Sequence, residues 1–206
     1  MQIVKEGYLF VLIPLILGLL LIIPNLGKVA YFVGILCILA SLFCLYFFRD
    51  PKIEIAQGED LILSPCNGTV LEVSENETEK VVRVFLSVFD VHLQRSPIAG
   101  KVISVEHKPG KFLKAMEPRA HIVNEQNIIA IENENGNYLV KQIAGVLARR
   151  CISWVKPGDI LKAGDKIGVI KFSSQVDLHM PKNVEVKVKQ GDKVVSGITV
   201  FANTSK

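Results

Sequence analysis

Three short stretches carry residue types that could do chemistry. The first, Phe89-Asp90-Val91-His92-Leu93-Gln94-Arg95-Ser96-Pro97, sets a histidine among strand-forming residues ahead of a proline turn. Imidazole titrates near neutral pH, so His92 could act as a general acid or base. The second, Ile143-Ala144-Gly145-Val146-Leu147-Ala148-Arg149-Arg150, closes an apolar run with paired guanidiniums. Arg149 and Arg150 could grip a phosphate or carboxylate through forked hydrogen bonds. The third, Lys171-Phe172-Ser173-Ser174-Gln175-Val176-Asp177-Leu178-His179-Met180-Pro181, places adjacent serines between two strands. A serine hydroxyl is a nucleophile only beside a base. Taken singly, each stretch also reads as ordinary structure: a core histidine, a solvated basic turn, a polar linker. Cys37, Cys44, Cys66 and Cys151 show no metal-ligand spacing and read as reduced thiols, so no metal is expected.

The elements that must position these residues divide sharply by composition. The chain has 206 residues with 24 Lys+Arg and 20 Asp+Glu, yet residues 1–48 hold only Lys5, Glu6 and Lys28. Residues 8–23 and 29–48 are uncharged, and Pro24-Asn25-Leu26-Gly27-Lys28 breaks them apart. About 20 apolar residues span a bilayer as a helix, so the second run suffices and the first is marginal. No small-residue cleavage site follows the first run, which argues against a signal peptide. Residues 1–48 are therefore expected to form a transmembrane helical hairpin, the alternative being one crossing by the second run with a re-entrant or interfacial first run. Lys5, Arg49 and Lys52 flank it, which places both ends, and residues 49–206, on the cytoplasmic side of the cell membrane.

Residues 49–206 have ordinary globular composition and read as one mainly β domain. Short apolar or alternating runs predict strands over 62–63, 69–73, 81–86, 101–105, 128–132, 138–143, 166–171 and 184–188. Only 146–154 offers room for a turn or two of helix. Gly158-Asp159, Gly164-Asp165 and Gly191-Asp192 each stand at a turn before an apolar strand. This rhythm resembles the lipoyl/biotinyl-like β-sandwich or barrel, but no lysine suited to carry a prosthetic group sits at a hairpin tip. The net charge of +4 is too weak, and too dispersed, to argue for nucleic acid. A basic face toward anionic lipid fits equally well.

In order and together, the three stretches resemble the phosphatidylserine decarboxylases, in their short, membrane-anchored form. The likeness runs from Phe47-Phe48-Arg49-Asp50-Pro51 through Ser64-Pro65-Cys66-Asn67-Gly68 and Phe85-Leu86-Ser87-Val88-Phe89-Asp90-Val91-His92, with Arg95, Pro97 and Gly100. Gly110-Lys111-Phe112, Asn124-Glu125-Gln126-Asn127, Gln142-Ile143-Ala144-Gly145, Ala148-Arg149-Arg150, and Val176-Asp177 with Pro181 follow in register.

The resemblance implies an enzyme that makes a pyruvoyl cofactor from its own backbone. The Ser174 hydroxyl would attack the carbonyl of Ser173 in an N→O acyl shift. β-Elimination and hydrolysis would then leave a β chain, 1–173, and an α chain, 174–206, that begins with the pyruvoyl group. That ketone condenses with the serine amine of the lipid and accepts electrons as CO₂ leaves, giving phosphatidylethanolamine. His92 matches the family histidine and is implied to deprotonate Ser174 and to handle a proton in the decarboxylation. Arg149 and Arg150 are candidates for the lipid phosphate or carboxylate. Either a diacyl or an ether-linked serine phospholipid suits the chemistry, and a homo-oligomer is compatible with it. Two positions depart from the family pattern. Ser173 stands where the family usually has Gly, and Asn67 where it usually has an Asp that supports the histidine. These departures raise a second expectation, an unprocessed and catalytically impaired lipid-binding homologue.

Overall fold

The computed structural model describes residues 2–24, 26–58, 60–114, 117, 119–145, 150–171 and 174–204. The chain divides into two units, Met1–Lys52 and Ile53–Lys206.

In the first unit, β1 (Gln2–Ile3) pairs antiparallel with β2 (Arg49–Asp50), and between them run α1 (Tyr8–Ile22) and α2 (Lys28–Phe47). A short 3₁₀ turn, Lys5–Gly7, leads into α1, and Lys5–Ile22 and Lys28–Phe47 are each long and apolar enough to cross a membrane. Helices suit that solvent because every backbone bond closes within the segment. Small residues let the pair approach closely: a Cβ on Gly18 would lie 2.8 Å from the Gly34 carbonyl oxygen. Ser41 Oγ donates to Val11 O at 2.7 Å, tying α2 to α1 through a polar bond.

The second unit is built from short strands. In order they are β3 (Leu61–Leu63), β4 (Gly68–Glu75), β5 (Glu79–Leu86), β6 (Leu93–Arg95), β7 (Gly100–Lys108), β8 (Gln126–Asn133) and β9 (Gly136–Ala144). Then follow β10 (Cys151–Ser153), β11 (Ile160–Leu161), β12 (Lys166–Ile170), β13 (Ser174–Pro181), β14 (Val184–Val186), β15 (Lys193–Val194) and β16 (Val200–Thr204). One four-residue helix, α3 (Ala120–Val123), precedes β8. Among the described residues, β11-β7-β8-β9-β13-β5-β4-β15 form one sheet that curls into a half-barrel. Two three-stranded sheets, β10-β12-β6 and β14-β16-β3, accompany it. The mainly β class and the apolar helical pair expected from the sequence are both present.

Period-two patterning explains the core. Val82, Val84 and Leu86 of β5, Val176, Leu178 and Met180 of β13, and Ile129 and Ile131 of β8 point to one face and are fully buried. The Gly-Asp rhythm has a common geometry. Lys156 N, Lys162 N and Lys189 N donate to Oδ2 of Asp159, Asp165 and Asp192 at 2.9, 2.7 and 2.9 Å. Each aspartate N–H returns a bond to the carbonyl of the same lysine. Gly158, Gly164 and Gly191 supply the positive φ, +96°, +85° and +92°, that such a turn needs.

Two sequence expectations are corrected. Residues 151–153 of the proposed helical stretch are strand β10, while 146–149 lie outside the described residues. Ser174 does not lie between strands; it opens β13, which sits in the middle of the large sheet between β9 and β5. The alternation of Val176, Leu178 and Met180 with Gln175, Asp177 and His179 was the available signal.

Candidate active site

Strand register places Ser174 at one end of the large sheet. Ser174 pairs with Leu86, the last residue of β5, and with Ala144, the last of β9. Gln126, which opens β8, faces both Ile143 and Lys108, the end of β7. Residues 87, 109 and 145, which follow β5, β7 and β9, therefore emerge at the end where Ser174 lies.

Ser174 is completely buried, and among the described residues its Oγ has no hydrogen-bond partner. A buried polar atom left in this state costs about 1–3 kcal/mol, and functional chemistry is one of the few reasons a protein tolerates it. Ser173 and Arg149 lie outside the described residues. Arg150 is exposed, and its carbonyl accepts the Lys171 N–H at 3.3 Å, which brings it beside the residue that follows β12.

His92 is buried and held from several sides. Its loop is a turn built like the Gly-Asp turns: Asp90 Oδ2 accepts from Ser87 N at 2.8 Å and from Ser87 Oγ at 2.6 Å, and Asp90 N donates to Ser87 O. Nδ1 of His92 lies 3.0 Å from Asp90 O. A carbonyl can only accept, so Nδ1 carries the proton and Nε2 is the basic nitrogen of the neutral ring. The His92 carbonyl in turn accepts from Ile170 N at 3.2 Å. Ser174 follows Ile170 by four residues, a stretch that spans at most about 14 Å.

Asn67 serves another element. Its Oδ1 accepts the Ser196 N–H at 3.1 Å, while Ser196 Oγ donates to Pro65 O. The imidazole of His92 is thus oriented by the Asp90 carbonyl, and the described hydrogen bond of Asn67 fastens residue 196 instead. Arg95 N also donates to Pro65 O, and its guanidinium donates to Gly164 O at 2.9 Å.

Several residues given no role by the sequence reading support the site. A chain of side-chain donors ends on the backbone of His92. His107 Nδ1 donates to Asn127 Oδ1 (2.8 Å), Asn127 Nδ2 to Gln142 Oε1 (3.2 Å), Gln142 Nε2 to Gln94 Oε1 (2.8 Å) and Gln94 Nε2 to His92 O (2.7 Å). All donors run one way, so each link polarises the next. Asn124 donates to Ala144 O at 2.7 Å and clasps both backbone groups of Leu113, tying loop 109–125 to the cross-strand neighbour of Ser174. On the opposite face of β13, Asp177 is flanked in register by Arg83 and Lys141. Arg83 reaches Asp177 Oδ2 at 3.4 Å and Glu72 at 2.7 Å. Burial raises the Asp177 carboxyl above its usual range, against the pull of Gln175 and Arg83. Most of these residues stand in the motifs quoted above, but only the fold reveals what they touch.

The family model for phosphatidylserine decarboxylase matches residues 40–202. The chain belongs to the phosphatidylserine decarboxylase family. It is 42% identical to a phosphatidylserine decarboxylase proenzyme of Carboxydothermus hydrogenoformans, over 96% of this chain and 94% of that protein. Proteins of the same description from Wolbachia sp. subsp. Brugia malayi and Ehrlichia chaffeensis are 38% and 35% identical, over 98% and 96% of this chain and 91% and 89% of theirs. Membership in the family makes the chain an enzyme, a decarboxylase.

Proposed function

We propose that the chain converts phosphatidylserine to phosphatidylethanolamine with a pyruvoyl group made from Ser174 by autocatalytic cleavage after Ser173. The observation that carries this reading is the Ser174 hydroxyl, buried and without a partner at the head of a central strand. A hydroxyl that is consumed by cleavage has no need of a permanent hydrogen bond, so the site fits the group. The pyruvoyl carbonyl would supply an electron sink for the departing carboxylate. The chain's own residues would do the rest. His92, with Nδ1 committed to the Asp90 carbonyl, presents Nε2 as the base for the Ser174 proton and as the group that moves a proton during turnover. Arg150, and Arg149 beside it, would meet the phosphate or carboxylate of the headgroup.

The departure at Asn67 weighs little in this arrangement. Because the described bond of Asn67 goes to Ser196 N, the residue holds a backbone rather than an imidazole, and Asn accepts that bond as Asp would. The two apolar helices fit a protein that works on a bilayer lipid, with the second unit on the cytoplasmic side. The mature protein would consist of 1–173 and 174–206, the latter held in the sheet by β5 and β9.

Denaturing electrophoresis and intact-mass analysis of the purified protein test this. The expected result is two chains, the smaller beginning with a pyruvoyl-blocked residue 174, together with release of CO₂ from phosphatidylserine. A single 206-residue chain that stays inactive toward the lipid would overturn the proposal and favour the unprocessed homologue.

A further inference from the structure

The large sheet is electrically and chemically polar along its strands. At the Ser174 end, the emerging segments carry Lys111, Lys114, Arg119, Arg150 and Lys171, with Asp90, Glu117 and Glu125 as the acids among them. The same loops expose large apolar side chains: Ile122 is 67% exposed, Phe89 66% and Phe112 39%. The opposite end is built differently. Its turns, 76–78, 134–135 and 182–183, carry no aromatic or branched aliphatic residue, and the exposed apolar side chain at that end is Ile160 of β11, beside Lys101. Acids dominate there: Glu75, Glu77, Glu79, Glu132 and Glu134 stand with Lys80, Lys101 and Lys182. Lys80 is drawn to Glu75 at 3.8 Å and to Val184 O at 2.9 Å.

Single exposed apolar residues are common on soluble proteins and mean little alone. What distinguishes this end is the coincidence of phenylalanine and isoleucine with lysine and arginine on the same loops. That combination suits the surface of an anionic bilayer, where apolar side chains enter the acyl boundary and cations meet lipid phosphates. Asn124 fastens Leu113, next to Phe112, to Ala144. We infer that the Ser174 end of the second unit is itself a docking surface for anionic phospholipid bilayers, with Phe112, Ile122 and Phe89 entering the lipid. This deepens the proposed function, because a surface so placed would open the site toward the layer that holds the substrate.

The test uses the full chain in vesicles and reads no chemistry, so it stands apart from whether Ser174 is processed. Trp154 is changed to Phe to clear the background. Phe112→Trp, Ile122→Trp and, at the far end, Asn135→Trp are then compared in vesicles with brominated acyl chains. The lipid is phosphatidylcholine alone or mixed with phosphatidylglycerol, an anionic lipid that is not the proposed substrate. The expected result is several-fold stronger quenching for Phe112→Trp and Ile122→Trp than for Asn135→Trp. It should strengthen with phosphatidylglycerol and weaken with added salt. Equal quenching at the three sites would overturn the inference. So would shielding of Phe112→Trp accompanied by a concentration-dependent doubling of mass, which would assign the surface to a second copy of the chain. Strong quenching indifferent to lipid charge would overturn the electrostatic half.

Discussion

The Gln142 side chain crosses from the large sheet to a three-stranded one, where its Nε2 donates to Gln94 Oε1 at 2.8 Å. It passes over Gly168 of β12, where a Cβ would lie 2.6 Å from Gln142 Nε2 and 2.2 Å from Ile152 O. A backbone without a side chain at 168 therefore opens the window through which the amide chain reaches His92. The β12–β6 register shifts between Lys166 and Gly168, which accommodates the crossing.

Gly168→Ala is expected to destabilise the fold by about 3 kcal/mol, from overpacking plus a displaced buried hydrogen bond. Gly191→Ala is the control. No atom lies within 4 Å of a Cβ there, so only its positive φ, +92°, opposes the change, at about 1–2 kcal/mol. Denaturant unfolding in detergent compares the two, and equal losses would contradict the window.

Ser174→Ala is expected to leave one uncleaved chain, because the nucleophile of the proposed acyl shift is gone. Ser173→Gly is expected to keep or speed cleavage, since glycine eases close approach of the backbone. Both are read on a denaturing gel over time. Cleavage of Ser174→Ala would place the reactive residue elsewhere.

His179 Nδ1 lies 2.9 Å from Glu79 Oε2, yet burial dominates and holds the imidazole below its ordinary 6.5, against the pull of Glu79. The unfolded chain then binds more protons than the folded one just below 6.5, so stability rises with pH through that window. The contribution is fully present above 6.5 and is lost as pH falls toward the lowered value. Unfolding free energies measured across this range should show a slope that His179→Gln flattens; an unchanged slope would contradict the assignment.

Cys66 and Cys151 are expected to resist iodoacetamide at neutral pH in the folded protein and to react once guanidinium unfolds it. Burial pushes both thiols up, and Asp90 and Asp177 push Cys66 further, so neither forms the reactive thiolate. Peptide mass analysis reads the modification site by site, and labelling of folded Cys66 would count against the packing around it.

Much of the molecule is written locally. The uncharged runs before and after Pro24 specify the two apolar helices, because a continuous apolar surface needs no long-range partner to be recognised. The Gly-Asp turns and the alternating cores of β5, β8 and β9 follow from period and turn chemistry within a few residues. The order of motifs around His92, Gln142 and Ser174 was sufficient to identify the family. Tertiary structure alone decided which of these residues meet. Asn67 finds Ser196 across 129 positions, and Gln94 finds Gln142 across 48, distances over which side-chain pattern carries no register. It also decided that Ser174 heads a central strand, that His92 is oriented by a backbone carbonyl, and that the basic and apolar loops share one end. Strand pairing is a long-range choice made by burial and hydrogen bonding together. Local sequence therefore names the strands, while only the assembled sheet says which ends lie side by side.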